Sequence, residues 1–224
     1  MATKKQKEAA EKTEDEELQK AERNAAIEML MEASAKEAPD NRMIALFGEI
    51  DEAKAAQLCY NLFLLAADKR FSVLNPDDLS EGFAETVDPI ELMICSPGGQ
   101  AAEMFAVYDT MRLIRESCPI ETFGVGKVMS AGVLILAAGT KGSRKIGKNC
   151  RVMIHSVVGG VHGGIHNVEN EIDEIRWTQD QYVKMLAEET DMSRPQLKKM
   201  LQRKMNIYFS AEEAVEKGIA DIIV

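Results

Sequence analysis

The chain has 224 residues, 46% of them hydrophobic, and a formal net charge of -10. That length fits one ordinary to large domain with extra segments, and the apolar share is enough for a sizeable core. The acidic balance argues against a general electrostatic grip on nucleic acid or anionic lipid, and no apolar run approaches the roughly 20 residues a membrane helix needs. Cys59, Cys95, Cys118 and Cys150 form no C-x-x-C pair, and no histidine stands at zinc-ligand spacing from them. Three of them lie in apolar runs and read as small core residues, a reducing compartment is the simplest inference, and neither a metal nor another cofactor is expected.

Residues 1–40 are rich in Ala, Glu and Lys, with Pro only at Pro39. This composition favours helix but buries no core. It reads as a charged extension or propeptide, with Ile27, Leu30 and Met31 as a short docking patch. The lysines near the start precede no apolar stretch, so no secretory signal is expected.

From Arg42 strands and helices alternate. Met43 to Phe47 is an apolar strand, Ala53 to Ala67 a helix, and Ile90 to Cys95 a buried strand closed by Ser96-Pro97-Gly98-Gly99. Ala101 to Arg115 is helical, with Met104, Val107, Met111 and Ile114 on one face. Ile120 to Val125 is a strand, Ser130 to Ala138 an apolar helix, and Arg151 to His155 a strand. Strands separated by helices predict an α/β fold with mainly parallel strands over residues 41–224. Residues 68–89 hold two Pro, one Gly and several acids, which predicts a long surface loop. Asn167 to Glu189 is a long helix with Val168, Ile172, Ile175, Tyr182 and Leu186 on one face. Ser193-x-x-Gln196 and Ser210-x-x-Glu213 are capping boxes, and Gly218 suits the position just past the last helix.

Three short segments carry possible chemistry. In Gly126-Lys127-Val128-Met129-Ser130-Ala131-Gly132, Ser130 stands at a helix N-terminus on a sharp turn after a strand. There, free backbone N–H groups and the helix dipole surround the place where an oxyanion would form. The blander reading is a serine N-cap. His155 ends an apolar strand and is one of three histidines. Taken alone it reads as structural; His162 and His166 fall in and just after the Gly-rich segment 159–164, which could form a strand lining a groove. Gly98 and Gly99 permit a backbone turn with exposed N–H groups, which could complete an oxyanion hole.

Taken in order, these pieces resemble the Clp protease family. The resemblance is carried by Ile94-Cys95-Ser96-Pro97-Gly98-Gly99, Tyr108-Asp109-Thr110-Met111, Ser130-Ala131-Gly132, Arg151-Val152-Met153-Ile154-His155 and Phe209-Ser210-Ala211-Glu212-Glu213-Ala214. It spans residues 42–224 and implies a Clp/crotonase-type fold. It further implies Ser130 as nucleophile, His155 as general base and an oxyanion hole of the Gly99 and Ala131 N–H groups. Substrate peptide would lie along Gly98, Gln100, Ala101, Gly160 and Val161. The 160–190 region would be the handle through which seven-subunit rings stack into a barrel. An AAA+ unfoldase would feed unfolded protein to it in the cytoplasm, with no nucleic acid or membrane involved.

Three departures stand against that pattern. The position of the family's third triad member, four residues before Ser210, is Asn206 rather than Asp. Asn206 is either an orienting amide or a helix C-cap, and Asp191 is a possible substitute carboxylate. The 68–89 stretch is longer than usual, and the N-terminus lacks the family's apolar pore segment. The alternatives are therefore a viral capsid-maturation protease, a non-catalytic ring subunit working with an active paralogue, and a crotonase-like acyl-CoA enzyme.

Overall fold

The computed structural model describes residues 42–68, 70–73, 83–203 and 205–224. The expectations for residues 1–40 lie outside the described residues. The chain divides into a large unit, Arg42–Arg70 with Glu85–Val224, and a smaller one that includes Phe71–Ala84.

In the large unit β1 (Met43–Phe47) leads into α1 (Glu52–Ala67), which is capped by Asp51 accepting from the Lys54 N–H. β4 (Ile90–Ser96) pairs with β1 in parallel, Met43 opposite Glu91 and Phe47 opposite Cys95. Its alternate residues Ile90, Leu92, Ile94 and Ser96 are buried, as expected for a strand with one face on the core. α2 (Ala101–Ile114) then crosses back to β5 (Ile120–Met129), again parallel to β4. The helical crossovers make the parallel pairing possible, so the α/β reading holds, with a mainly parallel sheet.

β5 is the hub, and it is longer than its apolar run predicts. The strand continues through Gly126 (φ 62°) to Met129, with a register shift against β4 between Ile94 and Ser96. The added glycines bend it, so its two halves pair with different strands. Phe123 and Gly124 pair with β6 (Lys145–Ile146), which in turn pairs with β9 (Ile222–Ile223). Lys127 to Met129 pair with β7 (Arg151–Ile154), and β7 is joined antiparallel by β8 (Ile207–Phe209). Strands this short carry no readable periodicity, which is why β6, β8 and β9 are not predicted.

Between these layers runs α3 (Ala131–Ala137), every residue of which is buried. A helix apolar all round belongs in the core, and this one gives Ser130 a rigid base. α4 (Ile165–Glu189), α5 (Arg194–Leu201) and α6 (Ala211–Glu216) complete the unit. Both capping boxes form, and Gly218 takes φ 69° just past α6.

Two expectations are corrected. The 68–89 stretch is not simply a loop: β2 (Arg70–Val73) and β3 (Phe83–Thr86) form a two-stranded sheet. Arg-Phe-Ser-Val and Phe-Ala-Glu-Thr each carry β-favouring residues, masked in the sequence by the Pro, Gly and acids around them. The Gly-rich 159–164 segment forms no strand; it is irregular up to the start of α4.

Candidate active site

The site is assembled by the parallel pairing of β5 and β7. Met129 lies opposite Met153, so both strands release their next residues at the same end. The Ser130 N–H donates to the Met153 carbonyl at 2.7 Å, continuing the ladder one step. His155 Nε2 then reaches the Ser130 hydroxyl at 2.9 Å, within the reach required of a nucleophile and its base.

Ser130 has φ 53° and ψ -123°, the one positive φ at a non-glycine among the described residues. Such a backbone costs on the order of 1–3 kcal/mol and persists only where the surroundings fix it. Its side chain makes no capping bond to the helix. The N-cap reading of the serine therefore fails: the hydroxyl is turned away from α3 and toward the imidazole.

Gly98 (φ 102°) lies directly against the serine. A Cβ there would stand 2.6 Å from Ser130 Cβ and 3.1 Å from its hydroxyl. The turn is fixed from within, since the Gly98 N–H donates to the buried Ser96 hydroxyl at 3.0 Å. It is fixed from outside by Ile50, whose N–H donates to the Gly98 carbonyl at 2.8 Å while its carbonyl accepts from the Gln100 N–H at 3.0 Å. Those two bonds lie on either side of Gly99 and leave its own N–H pointing away from Ile50. Neither the Gly99 N–H nor the Ala131 N–H is bonded among the described residues. The second is one of the donors that every helix leaves unpaired at its start.

The other predicted residues fare differently. Gln100 caps α2 and is exposed, Ala101 opens that helix, and Gly160 and Val161 lie in the irregular segment with Gly160 in open space. His162 and His166 are exposed, and His166 lies 3.5 Å from Glu169. Asn206 is exposed and makes no hydrogen bond to His155. It is not a helix C-cap either, because α5 ends at Leu201 and its C-cap is Gln202. The β7–β8 register, with Ile154 opposite Ile207, would put Asn206 opposite His155 if carried one step further. Asp191 points elsewhere: its carboxylate packs on Gly218, 2.6 Å from where a Cβ would be, and its N–H donates to the Lys217 carbonyl. His155 Nδ1 has no partner among the described residues.

Two residues that the sequence does not single out also touch this region. Tyr182 of α4 donates its hydroxyl to the Ser130 carbonyl at 3.0 Å, and Gln179 accepts from the Val157 N–H at 2.7 Å. Three or more His, Cys, Asp or Glu side chains gather nowhere among the described residues in a way that would hold a metal ion. No helix of the described residues is long and apolar enough to cross a membrane.

The profile of the Clp protease family matches residues 83–224. The chain belongs to the Clp protease family. It is 30% identical over 182 residues to an ATP-dependent Clp protease proteolytic subunit 1 of Rhodopirellula baltica, covering 81% of this chain and 71% of that one. It is 30% identical over 183 residues to a proteolytic subunit 1 of Corynebacterium jeikeium, covering 82% and 87%. With a proteolytic subunit 2 of Corynebacterium diphtheriae it shares 31% over 183 residues, 82% of each chain. The Clp protease match covers the site described above: Gly98, Gly99, Ser130, His155 and Asn206 all fall within it.

Proposed function

We propose that this chain is a serine endopeptidase of the Clp type. The observation that carries the reading is the 2.9 Å contact of His155 Nε2 with a Ser130 hydroxyl held on a strained backbone. In the proposed reaction Ser130 Oγ attacks the peptide carbonyl carbon while its proton passes to His155 Nε2. The oxyanion that forms is met by the N–H groups of Gly99 and Ala131, both of which lack a partner among the described residues. The carbon–nitrogen bond then breaks as His155 returns the proton to the leaving amine. Water, deprotonated by the same imidazole, clears the acyl-enzyme and restores Ser130.

Substrate enters as an extended strand between Gly98–Ala101 and the 159–161 segment, which has no sheet partner of its own. By analogy with the relatives, whose names make them subunits of an ATP-dependent protease, the working form is a stack of seven-membered rings fed by an AAA+ unfoldase in the cytoplasm. The outer part of α4 is then the handle. Asn206 supports His155 only weakly in this reading, and a non-catalytic ring subunit is the reading favoured instead by an Nδ1 without a partner among the described residues.

A fluorophosphonate probe separates the two without knowledge of the substrate. The wild-type protein is expected to be labelled at Ser130, with Ser130→Ala and His155→Ala both silent. An assembled wild type that takes up no label would establish the non-catalytic subunit.

A further inference from the structure

Helix α4 touches both halves of the proposed dyad through one stripe of its surface. Ile175, Gln179 and Tyr182 follow one another at i, i+4 and i+7, so they share a face. Ile175 packs on Gly159, where a Cβ would stand 2.7 Å from its Cδ1. One turn on, the Gln179 carbonyl oxygen accepts from the Val157 N–H at 2.7 Å. Next, Tyr182 donates to the Ser130 carbonyl at 3.0 Å. The stripe thus runs along the backbone that leaves His155 and ends on the backbone of the serine itself.

We propose that Tyr182 and Gln179 are positioning residues for the reaction: Tyr182 fixes the Ser130 turn, and Gln179 fixes the segment that carries His155. This rests on reading Ser130 and His155 as nucleophile and base. The Ser130 carbonyl accepts only from Val133 within α3, also at 3.0 Å. Its second lone pair is filled by Tyr182, whose ring is buried. Burial pushes that phenol well above the usual tyrosine range, so it keeps its proton and remains a donor at neutral pH. With φ 53° at Ser130, the turn needs outside support to persist, and the phenol supplies it at the residue concerned.

Gln179 has the complementary role. Residues 155–159 form no strand, so their N–H groups have no ladder to hold them. The Val157 N–H is anchored by the Gln179 amide, whose Nε2 is buried without a partner among the described residues. The backbone bond is therefore what sets the amide's orientation. It lies two residues beyond His155, close enough to restrict how the imidazole is presented.

Both ideas predict a loss in the chemical step rather than in binding. Tyr182→Phe keeps the ring, and Gln179→Leu keeps the bulk. Each is expected to slow the saturating rate of fluorophosphonate labelling about five- to tenfold, as loss of one hydrogen bond implies. The concentration for half-saturation should stay within about twofold of wild type, because no group touching the probe is removed. Gln179→Glu keeps an acceptor for Val157 and should recover most of the rate. Unchanged labelling in Tyr182→Phe and Gln179→Leu, with Ser130→Ala silent, overturns the proposal and leaves the dyad standing. So does a loss that merely follows the folded fraction, with the rate per intact site unchanged. Absence of labelling in the wild type removes the dyad and this inference together.

Discussion

At Asn206 the difference between an amide and a carboxylate is open to a direct test. The β7–β8 register carries it toward His155, and residues directly opposite in an antiparallel pair have Cβ atoms about 5 Å apart. An amide there can orient the ring but cannot stabilise a developing imidazolium. Asn206→Asp is expected to raise the labelling rate at Ser130 by about tenfold, well below the ~10⁴ that separates Asp from Asn in an established triad. An unchanged rate in a correctly assembled variant would mean that Asn206 has no part in the site. Ser130 and His155 stand out in the sequence only through several short motifs taken in order; alone, the first reads as a helix N-cap and the second as a structural histidine. Gly98 is legible as a turn residue only. That its missing Cβ makes room for Ser130, 2.6 Å away, depends on a contact 32 positions distant along the chain. Tyr182 reads as one more apolar residue of a helix face, and nothing in the periodicity shows its hydroxyl reaching Ser130.

At the scale of elements, α2 and α4 are joined by a buried carboxylate. Glu189 is 0% exposed and accepts from Tyr108, Arg112 and Arg115, each at 2.9 Å. Burial alone would push its pKa up, but the bonds from Arg115, Arg112 and Tyr108 together outweigh it and hold the group below the ordinary glutamate value. A carboxyl with a depressed pKa in the folded state contributes stability that is complete above its unfolded value, about 4.3, and is lost as pH falls through the folded one. Glu189→Gln should therefore lower the unfolding free energy at neutral pH by about 2–3 kcal/mol. Most of that rests on Arg115, since Arg112 is half exposed. Thermal melts followed from about pH 6 to about pH 3 should show the gap between wild type and variant shrinking; a constant gap would mean that the carboxylate stays uncoupled from acid unfolding. Helix boundaries such as Ser193 and Ser210 are legible because a capping box is a local device. β6 and β9, two residues each, are not, because their pairing exists only once β5 has bent at its glycines.

For the whole molecule the alternation of strand and helix already implies a parallel sheet, whereas its branching at β5 does not appear until the chain is folded. α4 is buried at Tyr182, Val183, Leu186 and Glu189, near its C-terminal end, whereas Ile165, Ile172 and Trp177 are 71%, 38% and 52% exposed. Trp177 leans edge-on against Phe105 at 6.1 Å, while Ile165 and Ile172 before it stay exposed among the described residues. A helix that keeps an apolar stripe over 25 residues while the other described residues cover only its second half offers a surface for a partner. In a closed homo-oligomer that partner is the same stripe of another copy, which meets it around a two-fold axis. Native mass spectrometry of the wild type is expected to give species of seven or fourteen subunits. Replacing both Ile165 and Ile172 by Arg places like charges opposite one another at such an axis, and fourteen should collapse to seven or fewer while the melting temperature of the subunit changes little, both positions being exposed. If the double variant keeps the full wild-type assembly, the stripe is not the contact between rings. Loss of the larger species together with Ser130 labelling would tie the site to the stack, through the same helix whose inner end holds the serine carbonyl.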